Sequence, residues 1–289
     1  MLPLDEAIKQ RLVTLNDALE QRLQAHVIAY LGPIDPAHER YFRTVIEDRK
    51  KHDPAINRLV IVLTTGGGSA ETVEKMVNVT RQHYDELLFV VPEMAMSAGT
   101  IFCMAGNAIY MDYSSALGPI DPQVFNGKEW VPALGYLDKY NEMVQKSKNN
   151  TLSNAEFLVL QSQDLAMLSR CEQARNLTVT LLKNWLVQYK FAQWTTHSTD
   201  PTKLGQPVTH AEKTQRAEEI AIDLGNNQKW HSHNRYINLG TLQKDLRLKI
   251  EDFSNLEPLR TEIRAYNDLL VDYMNGRGYQ LFVHSKTNF

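Results

Sequence analysis

Two apolar runs, each followed at once by small residues and then by a helical pattern, constrain this chain more than any other feature. NRLVIVLTT, from Asn57, runs into the glycine bend GGGS and then into AETVEKMVNVTRQH. LLFVVPE, from Leu87, runs into MAMSAGTIF. Short apolar runs without polar alternation suit strands buried on both faces. Strand, helix and strand in succession predict parallel βαβ units with right-handed crossovers. HVIAYLGPID, from His26, reads as an earlier strand and AIYMD, from Ala108, as a later one. Residues 37–52 read as a helix between strands.

The flanks are helical. Leu4, Ile8, Leu12, Leu15, Leu19 and Leu23 recur at spacings of three and four, which predicts an amphipathic helix over 4–24. It packs on its own domain or meets another subunit. After Pro132 the pattern changes. LGYLDKYNEMVQKSK reads as helix, and so does a long stretch from Ser153 to Phe191, with Asn and Thr residues as its candidate interruptions. Thr195 to Pro207 reads as a polar loop, 208–224 as a helix ending at Gly225, LGTLQKDL as a short helix and LRLKIEDF as a strand. A last helix runs to about Met274. The domain plan is an N-terminal helix over 1–25, an α/β core over 26–132 and 208–253, a helical insertion over 133–207, and a C-terminal helix and tail over 254–289. The hexapeptide LGPIDP occurs at Leu31 and again at Leu117, in unlike flanks. It predicts two similar strand endings, not a duplicated domain.

Composition narrows the class. The net charge of −3, with no broad basic field, argues against nucleic acid as a partner. Cys103 and Cys171 have no CxxC spacing, so neither a disulfide framework nor a zinc site is expected, and no metal or organic cofactor is implied. The charged start MLPLDEAIKQRL lacks the apolar core of a signal peptide, and there is no 18-residue apolar run. A cytoplasmic protein without a membrane span is the expectation.

Chemistry is concentrated at two strand ends, where ligands sit in parallel α/β folds. TTGGGS, Thr64 to Ser69, allows positive φ and brings backbone N–H groups close to a ligand. It lacks both GxxxxGK[ST] and GxGxxG, so an oxyanion hole is one use and a tight turn without a ligand the other. AMSAG, Ala95 to Gly99, is one residue short of the G-x-S-x-G elbow. Ser97 there is either a nucleophile at a helix N-terminus or a helix cap. Adjacent strand ends carrying a glycine-lined bend and a serine form the layout that acyl transfer requires.

HVIAYLGPID, IVLTTGGGSAETV and EMAMSAGTIFCMAG, in that order, resemble the Clp protease proteolytic subunit. ALGPIDPQV and WHSHNRYI draw the resemblance toward the serine dehydrogenase proteinase family, related to Clp protease and signal peptide peptidase within the crotonase-like superfamily. The resemblance covers 26–125 well and 208–253 weakly, and does not place 133–207. It implies an α/β fold of the ClpP/crotonase type, built of repeated ββα/βαβ units, with a helical insertion and helical N- and C-terminal extensions. It implies Ser97 as nucleophile, Gly68 and Ala98 as backbone donors of an oxyanion hole, and Gly67 as the residue shaping the turn. Gly66 stands where Clp protease has proline.

The general base departs from the Clp pattern. Where Clp protease has its histidine, this chain reads Ile120 and Asp121. Where Clp protease has its aspartate, this chain has Asn234, with His233 beside it. Three arrangements are open: His233 as base oriented by Asp121; a lysine, Lys139 or Lys128, with its pKa lowered by burial, as in the Ser-Lys pair of signal peptide peptidases; or no base, in a degenerate relative. The leading function is a serine peptidase acting on peptides or unfolded protein, in a homo-oligomer, served by a separate unfoldase or regulator. The alternatives are a crotonase-like acyl-CoA enzyme with Asp121 as base, and a non-catalytic oligomeric scaffold that works through its helical insertion.

Overall fold

A computed structural model describes residues 3–198 and 201–289. Residues 199 and 200, in the expected polar loop, and residues 1 and 2, in the expected N-terminal segment, lie outside that description.

Helix α1 (Pro3–Leu23) leads into β1 (His26–Leu31). A 3₁₀ turn at Pro36–His38 opens α2 (Glu39–His52), followed by β2 (Arg58–Thr64), α3 (Ala70–His83) and β3 (Glu86–Val91). Then come the short β4 (Met94–Ala95), α4 (Ala98–Met104), β5 (Ala108–Met111) and β6 (Ala116–Leu117). A hairpin of β7 (Gln123–Phe125) and β8 (Trp130–Pro132) precedes the helices α5 (Ala133–Lys148), α6 (Asn154–Gln161) and α7 (Leu165–Trp185). The chain returns through α8 (His210–Gly225), α9 (Asn227–Trp230), β9 (Ile237–Asn238) and α10 (Leu239–Lys244). It ends with β10 (Glu251–Asp252), α11 (Leu259–Arg277) and β11 (Phe282–Ser285).

Six strands form the main sheet, in the order β10-β5-β3-β2-β1-β11. β1, β2, β3, β5 and β10 run parallel, while β11 closes the edge antiparallel to β1. Because successive side chains point to opposite faces, one strand feeds two cores. Ile61 and Leu63 of β2 join Phe89 of β3 and Phe102 of α4 on one face. Val60 and Val62 of β2 join Leu12, Leu19, Ile263 and Leu270 on the other, beneath α1 and α11. Both layers are needed, since an unbroken apolar strand leaves no face for water. α1 therefore packs on its own domain through Leu12, Leu15 and Leu19, with Leu4 left exposed.

The structure departs from the sequence reading at three places. The long helix expected over 153–191 is broken between α6 and α7, where Asp164 N-caps α7 by accepting from the Ala166 N–H. LRLKIEDF keeps its alternation, with Leu246, Leu248 and Ile250 buried, but only Glu251–Asp252 reaches the edge of β5 to form a ladder. The tail expected after α11 contains β11, whose Val283 is wholly buried against β1. The insertion has a small core of its own, with Leu137, Met167, Leu168 and Cys171 packed against Val124 of the hairpin.

Candidate active site

A second, three-stranded sheet in the order β4-β6-β9 sits at the carboxyl ends of β2 and β3 and builds the site. β4 and β6 run parallel, and β9 runs antiparallel to β6. The segment after β4, the segment after β6 and the segment before β9 therefore all leave the sheet at the same end. They carry Ser97, Asp121 and His233.

The glycine bend is stitched to this sheet. The Thr65 N–H donates to the Met94 carbonyl at 3.0 Å, and the Met96 N–H donates to the Thr65 carbonyl at 3.0 Å. Gly67 has φ 108°, and its N–H donates to Thr65 Oγ1 at 3.0 Å. A β-carbon on Gly67 would lie 2.8 Å from the Ser97 β-carbon, so only glycine lets the bend approach that close. Gly68, at φ 150°, has no room for a β-carbon against the Ile34 carbonyl, and Ile34 clamps the bend by donating to the Gly67 carbonyl at 2.9 Å. Gly66 is different: a β-carbon there meets nothing within 4 Å. The proline position of the Clp pattern is sterically open in this chain.

Ser97 occupies the N-cap of α4 with φ 50° and ψ −116°, a conformation that L-residues rarely adopt and that concentrates at functional sites. Its side chain makes no capping hydrogen bond. Capping is the ordinary reason for a serine at a helix start, and it is not the reason here. Ser97 is half-buried, not sealed in the core. The corner is held from below. Thr100 Oγ1 donates within reach of the Ala95 carbonyl at 2.7 Å and accepts from the Gly118 N–H at 2.9 Å, which ties α4 to β4 and to the segment after β6. Among the described residues, neither the Gly68 N–H nor the Ala98 N–H is taken by an acceptor.

Asp121 and His233, 112 residues apart, meet at 2.8 Å between Oδ1 and Nδ1. Asp121 is 2% exposed, and a buried carboxylate needs partners for both oxygens. The second oxygen, Oδ2, accepts from Gln123 Nε2 at 2.8 Å. The two LGPIDP copies thus diverge: Asp35 caps the 3₁₀ turn by accepting from the Ala37 N–H, whereas Asp121 is buried against His233. Sequence reading passed over Gln123, and the only local signal was its position two residues past Asp121.

Neither candidate lysine is buried. Lys139, on α5, has a side chain 79% exposed and paired with Glu142 at 2.9 Å. Lys128 lies exposed in the turn between β7 and β8. A lysine whose ammonium burial does disfavour is Lys190, brought down to about 8, but its charged neighbours include Glu251 and Lys249, and it sits by Cys103 toward the far end of α4 from Ser97.

A family model described as ClpP-like SDH-type serine proteinase matches residues 37–202. Two uncharacterized proteins of Methanocaldococcus jannaschii are 29% identical over 92 residues and 34% identical over 64 residues. Those stretches cover 32% and 22% of this chain, and span only 30% and 22% of the two relatives. Among solved structures, a serine-to-alanine mutant of a membrane-bound stomatin-specific protease aligns at TM-score 0.47 and 12% identity, over 82% of this chain and 83% of that one. A lysine-to-alanine mutant of that protease, in complex with a substrate peptide, aligns at TM-score 0.47 and 14% identity, over 81% and 77%. Among the described residues, no helix is long and apolar enough to cross a membrane.

Proposed function

This chain belongs to the family of ClpP-like SDH-type serine proteinases, and from that membership we propose that it hydrolyses peptide bonds through an acyl-enzyme on Ser97, with His233 as general base and Asp121 as its orienting carboxylate. The observation that carries this reading is the 2.8 Å contact between His233 Nδ1 and Asp121 Oδ1, at the end of the small sheet that Ser97 also occupies.

The roles follow from proton accounting. A neutral imidazole has one N–H and one lone pair. With Nδ1–H donated to Asp121, the lone pair is on Nε2, the nitrogen that accepts the Ser97 proton as Oγ attacks the carbonyl. Asp121 stabilises the imidazolium that forms. His233 then returns the proton to the leaving amine, and water repeats the cycle on the acyl-enzyme. The N–H groups of Gly68 and Ala98 receive the tetrahedral oxyanion. One such donor contributes about 2.7–4 kcal/mol in comparable sites. Relative to Clp protease, histidine and aspartate have exchanged segments, and the pair is kept because the two segments leave the same end of one sheet.

A lysine base finds no support in the exposed, ion-paired Lys139. A peptide or an unfolded polypeptide is the substrate this chemistry suits, with a homo-oligomer and a separate unfoldase or regulator as the setting. The test is labelling by a serine-directed fluorophosphonate, followed by peptide mapping, on the native chain and on His233→Ala. Modification of Ser97 that is lost with His233 supports the reading. Modification that persists unchanged without His233 overturns the assignment of the base, and labelling of another serine overturns that of the nucleophile.

A further inference from the structure

The 2.8 Å contact from Gln123 Nε2 to Asp121 Oδ2, with the same nitrogen 3.3 Å from His233 Nδ1, leads us to propose that Gln123 is a positioning residue that holds the Asp121 carboxylate in its His233-facing orientation. This rests on the reading of His233 as general base.

The orientation of the amide follows from its neighbours. Turned the other way, the Gln123 carbonyl would face a carboxylate oxygen with no proton between them, so Nε2 faces Asp121. His233 Nδ1 cannot give its proton to Asp121 and also accept from Gln123. The shorter contact, 2.8 Å against 3.3 Å, assigns that proton to the Asp121 bond. Each carboxylate oxygen then has its own donor, His233 on Oδ1 and Gln123 on Oδ2. Without Gln123 the carboxylate is free to turn either oxygen toward the imidazole, and one oxygen of a nearly sealed group goes unpaired. Gln123 is itself held firmly. It begins β7 and pairs with Pro132 of β8, so the hairpin fixes the backbone from which the amide reaches back.

The role has a signed consequence. The Gln123 donor is worth most when the Asp121 charge is uncompensated, which is when His233 is neutral. Once His233 is protonated, the imidazolium already neutralises the carboxylate. Removing the donor therefore makes the pair hold its proton more tightly, and placing a cation there loosens it. A residue that merely packs would leave the acid limb where it is in Gln123→Met.

The experiment follows the rate of Ser97 modification by a fluorophosphonate from pH 5 to pH 9, on the native chain, Gln123→Met and Gln123→Lys, with thermal melts to establish folding. Gln123→Met should label on the order of tenfold more slowly at neutral pH, with its acid limb displaced upward by roughly half a pH unit or more; Gln123→Lys should displace the limb downward. If both variants keep the native limb, or both move it the same way, the role of Gln123 is overturned. If Gln123→Met does not fold, Gln123→Ala, read for the same upward displacement of the limb, decides in its place. His233→Ala separates the two levels: labelling indifferent to His233 sinks the underlying reading, whereas labelling lost with His233 but unmoved by Gln123 sinks only this inference.

Discussion

Gly67 and Ser97 approach so closely that a β-carbon on the glycine would lie 2.8 Å from that of the serine. The bend follows β2 of the main sheet and the corner follows β4 of the small sheet, and Thr65 bonds them together from both sides. A cleft wall this tight cannot be widened by one methyl group without moving the nucleophile.

Gly67→Ala should therefore reduce Ser97 labelling by two orders of magnitude or more while the chain still folds. The positive φ of 108° adds strain to the clash, and together they should cost on the order of 1–3 kcal/mol of stability. Gly66→Ala, where a β-carbon meets nothing within 4 Å, is the control and should keep near-native labelling. Equal losses in the two variants would remove Gly67 from the site.

Ser97→Gly should abolish labelling and at the same time stabilise the fold. The native φ of 50° with ψ −116° strains a serine but not a glycine. Relief of that strain, less the added flexibility of the unfolded chain, should leave a gain of about 0.5–2 kcal/mol in urea or thermal unfolding. A serine variant that unfolds more readily than the native chain would contradict the picture of a strained corner.

Asp121→Asn should slow hydrolysis by about 10²–10⁴-fold, because an amide nitrogen facing Nδ1 reverses the tautomer that the mechanism requires. Steady-state rates on a casein or peptide substrate measure it. Lys139→Ala, in contrast, should change the rate by less than about twofold, since an exposed side chain paired with Glu142 contributes little beyond its surface contact. The reverse ranking of these two variants would transfer the base to the lysine.

Stability should fall on acidification through two buried histidines remote from the site. His26, 1% exposed, bonds Tyr84 and is pushed down to about 4 by burial and then by Arg49, against the opposing pull of Asp53. His284, wholly buried, bonds Tyr266 and is pushed down to about 4 by burial and then by Lys9. Their folded pKa values lie below the unfolded value of about 6.5, so between pH 6.5 and pH 4 the unfolded chain binds the extra protons. The stabilisation is complete above about pH 6.5 and is lost as pH falls toward 4, on the order of 3 kcal/mol for each histidine. Urea unfolding at pH 7.5, 5.5 and 4.5 should show a falling midpoint, and an unchanged midpoint would mean that these histidines titrate normally in the folded chain.

The amino-acid sequence alone determined the parallel α/β core, because unbroken apolar runs such as LVIVL have no fold in which one face stays wet. It located the bend and the serine corner too, since three glycines and an AMSAG turn are local requirements of backbone geometry. Only the tertiary structure decided the partner of Asp121. Two copies of LGPIDP look alike in the chain, yet Asp35 caps an exposed turn while Asp121 is buried against a histidine 112 residues away. That meeting depends on strand order and direction in the small sheet, and on a hairpin that delivers Gln123 to the second oxygen. The same holds for β11, whose pairing with β1 across the whole length of the chain leaves no local mark. Local conformation is written in neighbouring residues, whereas long-range pairing is set by which packing of the whole chain leaves the fewest apolar surfaces and buried charges unmet.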